Sequence, residues 1–390
     1  VNQKIGDLIT FAPMKKFCFS LGLFFCSFLL QAQELEKKET KGGIDRLFDF
    51  GDQVIDFISS DKWTIIPAVV YSPETNLGLG ARALRIFRPQ GEKGKNLRPS
   101  TLPITFLYTF NNQSIFTTEL EWWADENKSY LNARLELSNF PFKYYGIGDV
   151  AAESPGEPYT TRYGSFQINF ERMLFKGLYL GPKYEFRADD ISKRVEGGLL
   201  ETDRPLGYDG QRISGLGLVL NYDTRDNIFQ PQKGWFNRIG YMDYSKFLGS
   251  NFEFNQFIVD LRKYLTIKKQ NSLALQSWWS FTSDNAPFQN ISLIGGSDRM
   301  RGYFEGKYRD KHAMVHQAEY RFRVHRNLGM VVFGHMGQVA GNLQQFDWKR
   351  FKYGGGFGLR YKITEDGLNI RLDFAFGDQG AFYFGLNEVI

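Results

Sequence analysis

The chain has 390 residues, 42% apolar and 16% aromatic, with 40 glycines and a formal charge of +5. Its mean hydropathy is −0.37, and Phe17 to Leu30 is the only long apolar run. That excludes a bundle of membrane-spanning helices, each of which needs about 20 consecutive apolar residues. Both signs of charge are mixed along the chain, so nothing supports a basic nucleic-acid-binding face.

The apolar run follows Met14-Lys15-Lys16 and leads into Gln31-Ala32-Gln33. A short basic stretch, an apolar core and a small residue at the exit predict a secretory signal peptide. Met14 is the expected initiator, with cleavage after Ala32, so residues 1–32 comprise upstream residues and a cleaved signal. Both cysteines, Cys18 and Cys26, fall within it, and the remaining chain is expected to carry no disulfide, thiolate metal site or cofactor. Leu23-Phe24-Phe25 is too bulky to make Cys26 a lipidation site. Residues 33–62 read as a periplasmic leader, in which Ile44, Leu47, Phe48, Val54, Ile55 and Ile58 follow helical spacing; a short amphipathic helix and a poorly ordered leader are the two readings.

From Trp63 onward the period is two, the mark of strands with differently solvated faces. Leu216, Leu218, Leu220 and Tyr222 share one face, as do Phe357, Leu359, Tyr361 and Ile363. In Leu368 to Phe376, Asn369, Arg371 and Asp373 oppose an unbroken apolar face. A soluble sandwich and an outer-membrane barrel both fit this pattern. The secretion signal, the lack of disulfides and the aromatic load favour the barrel. Trp122-Trp123, Trp235 and Trp278-Trp279 near strand ends suit interfacial girdles, although simple packing would also place them there.

The expected strands are 64–71, 77–88, 101–111, 114–124, 128–138, 159–171, 174–187 and 211–223, then 234–246, 251–264, 271–282, 312–324, 328–337, 352–362, 368–377 and 381–389. They number sixteen, even as a bacterial single-chain barrel requires. With a periplasmic amino terminus, the long connections 139–158, 188–210, 283–311 and 338–351 all fall outside the cell. The short turns 125–127, 265–270, 325–327 and 363–367 face the periplasm, with longer ones at Arg88 to Ser100 and Thr224 to Lys233. The expected fold is an all-β, 16-stranded antiparallel transmembrane barrel over 63–390, with a long inward-folding loop after strand 11.

That loop carries Gly295-Gly296 and Met300-Arg301-Gly302-Tyr303. With it come the turn Tyr222-Asp223-Thr224-Arg225-Asp226-Asn227-Ile228-Phe229-Gln230-Pro231-Gln232-Lys233-Gly234-Trp235, the sixteen-strand count and the last strands, Gly354 to Tyr361 and Arg371 to Phe376. Together these make residues 63–390 resemble the BamA/TamA superfamily of outer-membrane assembly and translocation barrels, the bacterial surface antigen family. The resemblance implies that the loop folds into the lumen and that its arginine meets acidic groups of the wall. A confined guanidinium needs carboxylates that match its fork of donors, and Gly302 permits a tight turn beside it. By strand alternation Glu319 faces inward and is the leading partner of Arg301. The family's second acid is replaced by His335, and Asp373 on strand 15 could substitute. Residues 33–62 are too short for one of the family's periplasmic modules.

Strand 1 contains Pro67, which withholds a ladder donor and belongs at an edge. It must close against the last strand, with Phe382, Phe384 and Leu386 at the seam. A weak seam suits the lateral gate that the resemblance implies, and a local bulge is the other reading. No Gly-x-Ser-x-Gly elbow occurs. His312 and His316 lie on one strand face about 13 Å apart and read as surface histidines rather than a metal pair, with no cross-strand serine to name beside His316. No enzyme activity is expected. The expectation is a bacterial outer-membrane barrel, embedded in lipid, that aids insertion or translocation of outer-membrane components through the strand 1/strand 16 seam. Separate periplasmic assembly proteins or nascent outer-membrane proteins would be its partners, and no nucleic acid. The alternative is a passive channel or structural scaffold plugged by the 283–311 loop.

Overall fold

The computed structural model describes residues 63–89, 97–148, 154–325, 327–364 and 367–390. The signal peptide and the leader, helical or not, lie outside these residues. Alternation from residue 64 onward builds one sixteen-stranded sheet in which every bonded neighbour is antiparallel. Its first half is β1 (Thr64–Ser72), β2 (Asn76–Phe87), β3 (Ser100–Thr109), β4 (Ser114–Ala124), β5 (Ser129–Tyr144), β6 (Glu157–Phe175), β7 (Leu178–Lys193) and β8 (Gly210–Asp223). Its second half is β9 (Gly234–Tyr244), β10 (Phe254–Lys268), β11 (Asn271–Thr282), β14 (His312–His325), β15 (Leu328–Ala340), β16 (Lys352–Lys362), β17 (Asn369–Phe376) and β18 (Gly380–Leu386). The sheet curls until β18 lies beside β1, making a nearly closed barrel.

Two details differ from the expected pattern. The 283–311 connection holds a small hairpin, β12 (Ser292–Ile294) paired with β13 (Tyr308–Asp310). Three-residue strands are too short to show a period. Strands β5, β6 and β7 run 16, 19 and 16 residues, which trims the expected connections 139–158 and 188–210 to 145–156 and 194–209. Pro141 and the Asp189-Asp190 pair look like loop residues, yet each keeps its place in the ladder, Pro141 opposite Thr160 and Asp190 opposite Arg162. The extension is held from inside, where Phe288 packs on Tyr144 and Tyr159 at 5.5 and 5.8 Å between ring centroids.

The two faces are solvated in reverse of a soluble sandwich. On β8, Leu216 and Leu218 are 48% and 57% exposed, while Asn221 and Asp223 are 3% exposed. Inside, polar side chains satisfy one another: Glu171 accepts from Asn169 at 2.8 Å and from Asn221 and Arg238 at 3.2 Å. Such a wall is stable only where the outer solvent is hydrocarbon and no sheet edge faces it unpaired. An arginine on the outer face should therefore destabilise the barrel in a bilayer. Leu218→Arg is expected to cost about 2–4 kcal/mol if it lies at mid-depth. A folding titration in phospholipid vesicles, scored by the heat-modifiable shift in gel mobility, measures this cost.

Candidate functional site

The centre of the site is Arg301, in the connection between β11 and β14. The chain can turn there because Gly302 adopts φ 94. A Cβ at Gly302 would also sit 2.8 Å from the backbone of Phe376 and Gly377. The guanidinium has no solvent exposure. One terminal nitrogen donates to Asp373 Oδ2 on β17 at 2.6 Å, and the other donates to Glu319 Oε1 on β14. The Phe333 ring of β15 lies under it, 3.5 Å from the guanidinium carbon to the ring centroid. The Gly302 N–H donates to the Tyr383 hydroxyl of β18 at 3.0 Å, and Tyr303 donates to the Tyr353 carbonyl at 2.7 Å. Five wall strands thus converge on Arg301, Gly302 and Tyr303.

The convergence needs empty space on β16. Gly356 and Gly358 occupy its inner face, where a Cβ at Gly358 would fall 2.0 Å from Asp373 Oδ1 and one at Gly356 would fall 2.7 Å from the Phe333 ring. His335 is also buried, flanked by Phe333 and Tyr303 at 6.1 and 6.4 Å. It does not take the place of the missing acid. The second carboxylate comes from Asp373, the substitute that its inward place on β17 suggested, so Arg301 has two anionic partners.

Around this pair lies a set of charges that strand alternation alone did not assemble. Arg321 reaches Glu319 Oε2 at 2.8 Å and the Ile390 carbonyl at 2.7 Å. Arg360 bridges Asp373 Oδ1 at 2.6 Å and Glu388 Oε2 at 2.7 Å, and Asn369 donates to Glu388 Oε1 at 2.6 Å. Glu388 belongs to the segment after β18, which turns inward at Asn387 (φ 64). Val389 and Ile390 end against Tyr264 of β10 and Ala274 of β11. Alternating polar residues on the last strands were the available signal for Arg321 and Arg360. Nothing in the pattern pointed to Glu388 or Phe333.

The same loop ties both sides of the seam. Toward β18, Gln379 N donates to the Gly302 carbonyl at 3.1 Å, and Lys307 and Tyr308 donate to Asp378 at 2.7 and 2.8 Å. Toward β1, Glu305 N donates to Glu74 Oε1 in the β1–β2 turn at 2.8 Å. Among the described residues no ladder joins β1 to β18. Tyr71 and Phe382 face each other across the gap at 5.7 Å. Pro67 keeps a continuous register with β2, opposite Ala81, and Phe384 stands opposite Leu372 of β17. Leu386 packs with Ile66, Leu84, Leu368 and Phe229. Phe229 comes from the β8–β9 turn, half the barrel away in strand order, so this turn crosses the lower mouth to wedge the seam.

Among the described residues no group of three His, Cys, Asp or Glu is placed to hold a metal ion. His316 does have a cross-strand serine, Ser277, directly opposite it in the β11–β14 register, which corrects the expectation that none could be named. That hydroxyl accepts from the Trp279 indole N–H at 2.7 Å.

Two outcomes follow. Arg301→Ala is expected to lower barrel stability by about 3 kcal/mol, the low end for breaking a buried ion pair, because Arg321 and Arg360 still face the two carboxylates. Arg301→Lys should recover only part of this, since an ammonium cannot fork to two strands. Denaturant titration with the heat-modifiable shift reads both. The Glu74 carboxyl is raised above its ordinary 4.5 by burial, partly offset by donors from Ser72 and Glu305. A raised carboxyl stabilises the fold fully below that ordinary value and loses its contribution as pH rises through the folded one. The thermal midpoint should therefore fall as acidic buffer is brought to neutrality, and this fall should shrink in Glu74→Gln.

The Omp85 superfamily domain matches residues 104–389. Among solved structures, BamA from Haemophilus ducreyi lacking POTRA domains 1-3 aligns with a TM-score of 0.54 at 13% identity, over 84% of this chain and 70% of that one. CdiB from Acinetobacter baumannii aligns with 0.55 at 11% identity, over 84% and 60%. CdiB from Escherichia coli aligns with 0.52 at 8% identity, over 88% and 70%. Identities this low speak for the fold alone, and the chain spans 60 to 70% of these structures' lengths. No curated protein matches it in sequence. As the likeness to BamA/TamA barrels implied, the chain belongs to the Omp85 superfamily of outer-membrane β-barrels.

Proposed function

We propose that this barrel aids insertion or translocation of outer-membrane components through the β1/β18 seam. The observation that carries the reading is the seam itself, where two edge strands lie side by side with no ladder between them. Edge strands present rows of backbone donors and acceptors, and natural proteins cover or blunt such edges unless another strand is to pair there. A nascent barrel strand is the partner whose backbone fits both edges. Separate periplasmic proteins would deliver it, and bilayer lipid would receive it.

Arg301 with Glu319 and Asp373 acts in this reading as a lock that keeps β14 to β18 in place while β1 moves. Gly302, Tyr303 and the buried His335 shape the loop around the lock. A second reading, a passive plugged channel or scaffold, draws on the same loop and on the turn at Phe229, which fill the barrel from its two ends.

Two measurements separate the readings. Depletion of the protein should lower the levels of other outer-membrane proteins, and unchanged levels of all of them would sink the assembly reading. In Tyr71→Cys/Phe382→Cys, oxidation should abolish complementation of the depleted strain and reduction should restore it. Full activity of the crosslinked form would remove the seam from the mechanism, and single-channel conductance in planar bilayers would then support the passive channel.

A further inference from the structure

The 341–351 connection between β15 and β16 begins beside Asp310 of the inner loop. From there the connection folds back over the outer wall. Gln338 has the strand parity of the exposed Val332, so it points toward lipid, yet it is only 1% exposed. The connection covers it: Gln338 Nε2 donates to the Gln345 carbonyl, and Asp347 N donates to Gln338 Oε1, both at 3.1 Å. Phe351 stacks on His316 of the same outer face at 6.2 Å, and Trp348 stacks on Phe351 at 5.3 Å. His316 in turn meets Trp279 at 5.6 Å. A row of rings therefore runs from β11 across β14 and out onto the loop. Rings in this position mark the boundary between hydrocarbon and headgroups.

At that boundary the loop projects Leu343, 56% exposed, and Trp348, 72% exposed. Lys349 and Arg350 follow in the same short 3-10 turn. Apolar side chains that lead, with cations beside them, fit a lipid surface, where the rings enter the acyl region and the cations stay with the phosphates. We propose that the 341–351 connection is an outer-leaflet lipid anchor that binds the phosphorylated headgroup of a membrane lipid through Lys349 and Arg350. Its continuity with the barrel's lipid-facing wall and its charge select lipid as the occupant.

The test uses the full chain with Cys18 and Cys26 changed to serine, carrying one environment-sensitive fluorophore and reconstituted in phosphatidylcholine vesicles. With Leu343→Cys as the attachment point, the label should emit to the blue, be quenched by nitroxide on lipid acyl chains and be shielded from iodide. With Glu196→Cys, on an exposed stretch of another outer connection, it should behave oppositely. Equal iodide quenching at the two positions overturns insertion. Adding phosphatidic acid should then strengthen nitroxide quenching at position 343 when Lys349 and Arg350 are present, and not in Lys349→Gln/Arg350→Gln. An identical response in both overturns the headgroup contact. Heat-modifiable mobility confirms that each variant is folded, and Gln338→Leu, which removes the two tethers, should by itself raise iodide access at position 343.

Discussion

A guanidinium with no access to water must be matched in charge and direction, and that demand organises the last third of this barrel. Withdrawing such an ion from water costs several kcal/mol, recovered only if carboxylates meet its donors in good geometry. Arg301 satisfies the demand with carboxylates from strands that are not neighbours in the sheet, β14 and β17. Arg321 and Arg360 complete the charge balance against Glu319, Asp373 and Glu388. Because each carboxylate is shared between cations, moving any one strand leaves a buried charge short of a partner. The set behaves as a unit, and the glycines of β16 are what leave it room.

This arrangement makes the two sides of the seam unequal. β18 is fixed from the lumen, through Tyr383 to the loop and through Glu388 to the wall, and needs no ladder to β1 to hold its position. β1 is held by softer means: its own hairpin with β2, the hydrogen bond from the Glu305 amide to Glu74, the Tyr71–Phe382 ring contact and the apolar wedge at Phe229. Apolar contacts tolerate sliding in a way that forked ion pairs do not. In the proposed gating mechanism, β1 would be the strand that moves.

Much of this was legible because the outer solvent is lipid. Apolar residues on one face and polar residues on the other carry the strand period cleanly, and parity placed Glu319 and Asp373 on the inner face. Arginine between turn-forming residues in a long connection marked Arg301. The strand ends were harder: β5 to β7 outrun the period because Phe288, more than a hundred residues away from Tyr144, packs beneath them. The Phe333 stack, the inward turn that brings Glu388 to Arg360, and the reach of Phe229 to Leu84 are all contacts between distant segments. No local spacing encodes them. Asp373 could be named as the substitute for the acid that His335 displaces because its strand parity alone turns it inward.

The inward turn at Asn387 has a consequence for the bilayer itself. It ends β18 after seven residues, and β1 has nine, whereas a tilted strand needs about 9–11 to cross the hydrocarbon core. Three strands on the far wall exceed that length comfortably. The wall is therefore lowest where the two unladdered edges meet, and a hydrophobic span shorter than the core is accommodated by thinning the surrounding lipid. Lipid packing beside the seam should be thinner and more easily deformed than anywhere else around the barrel.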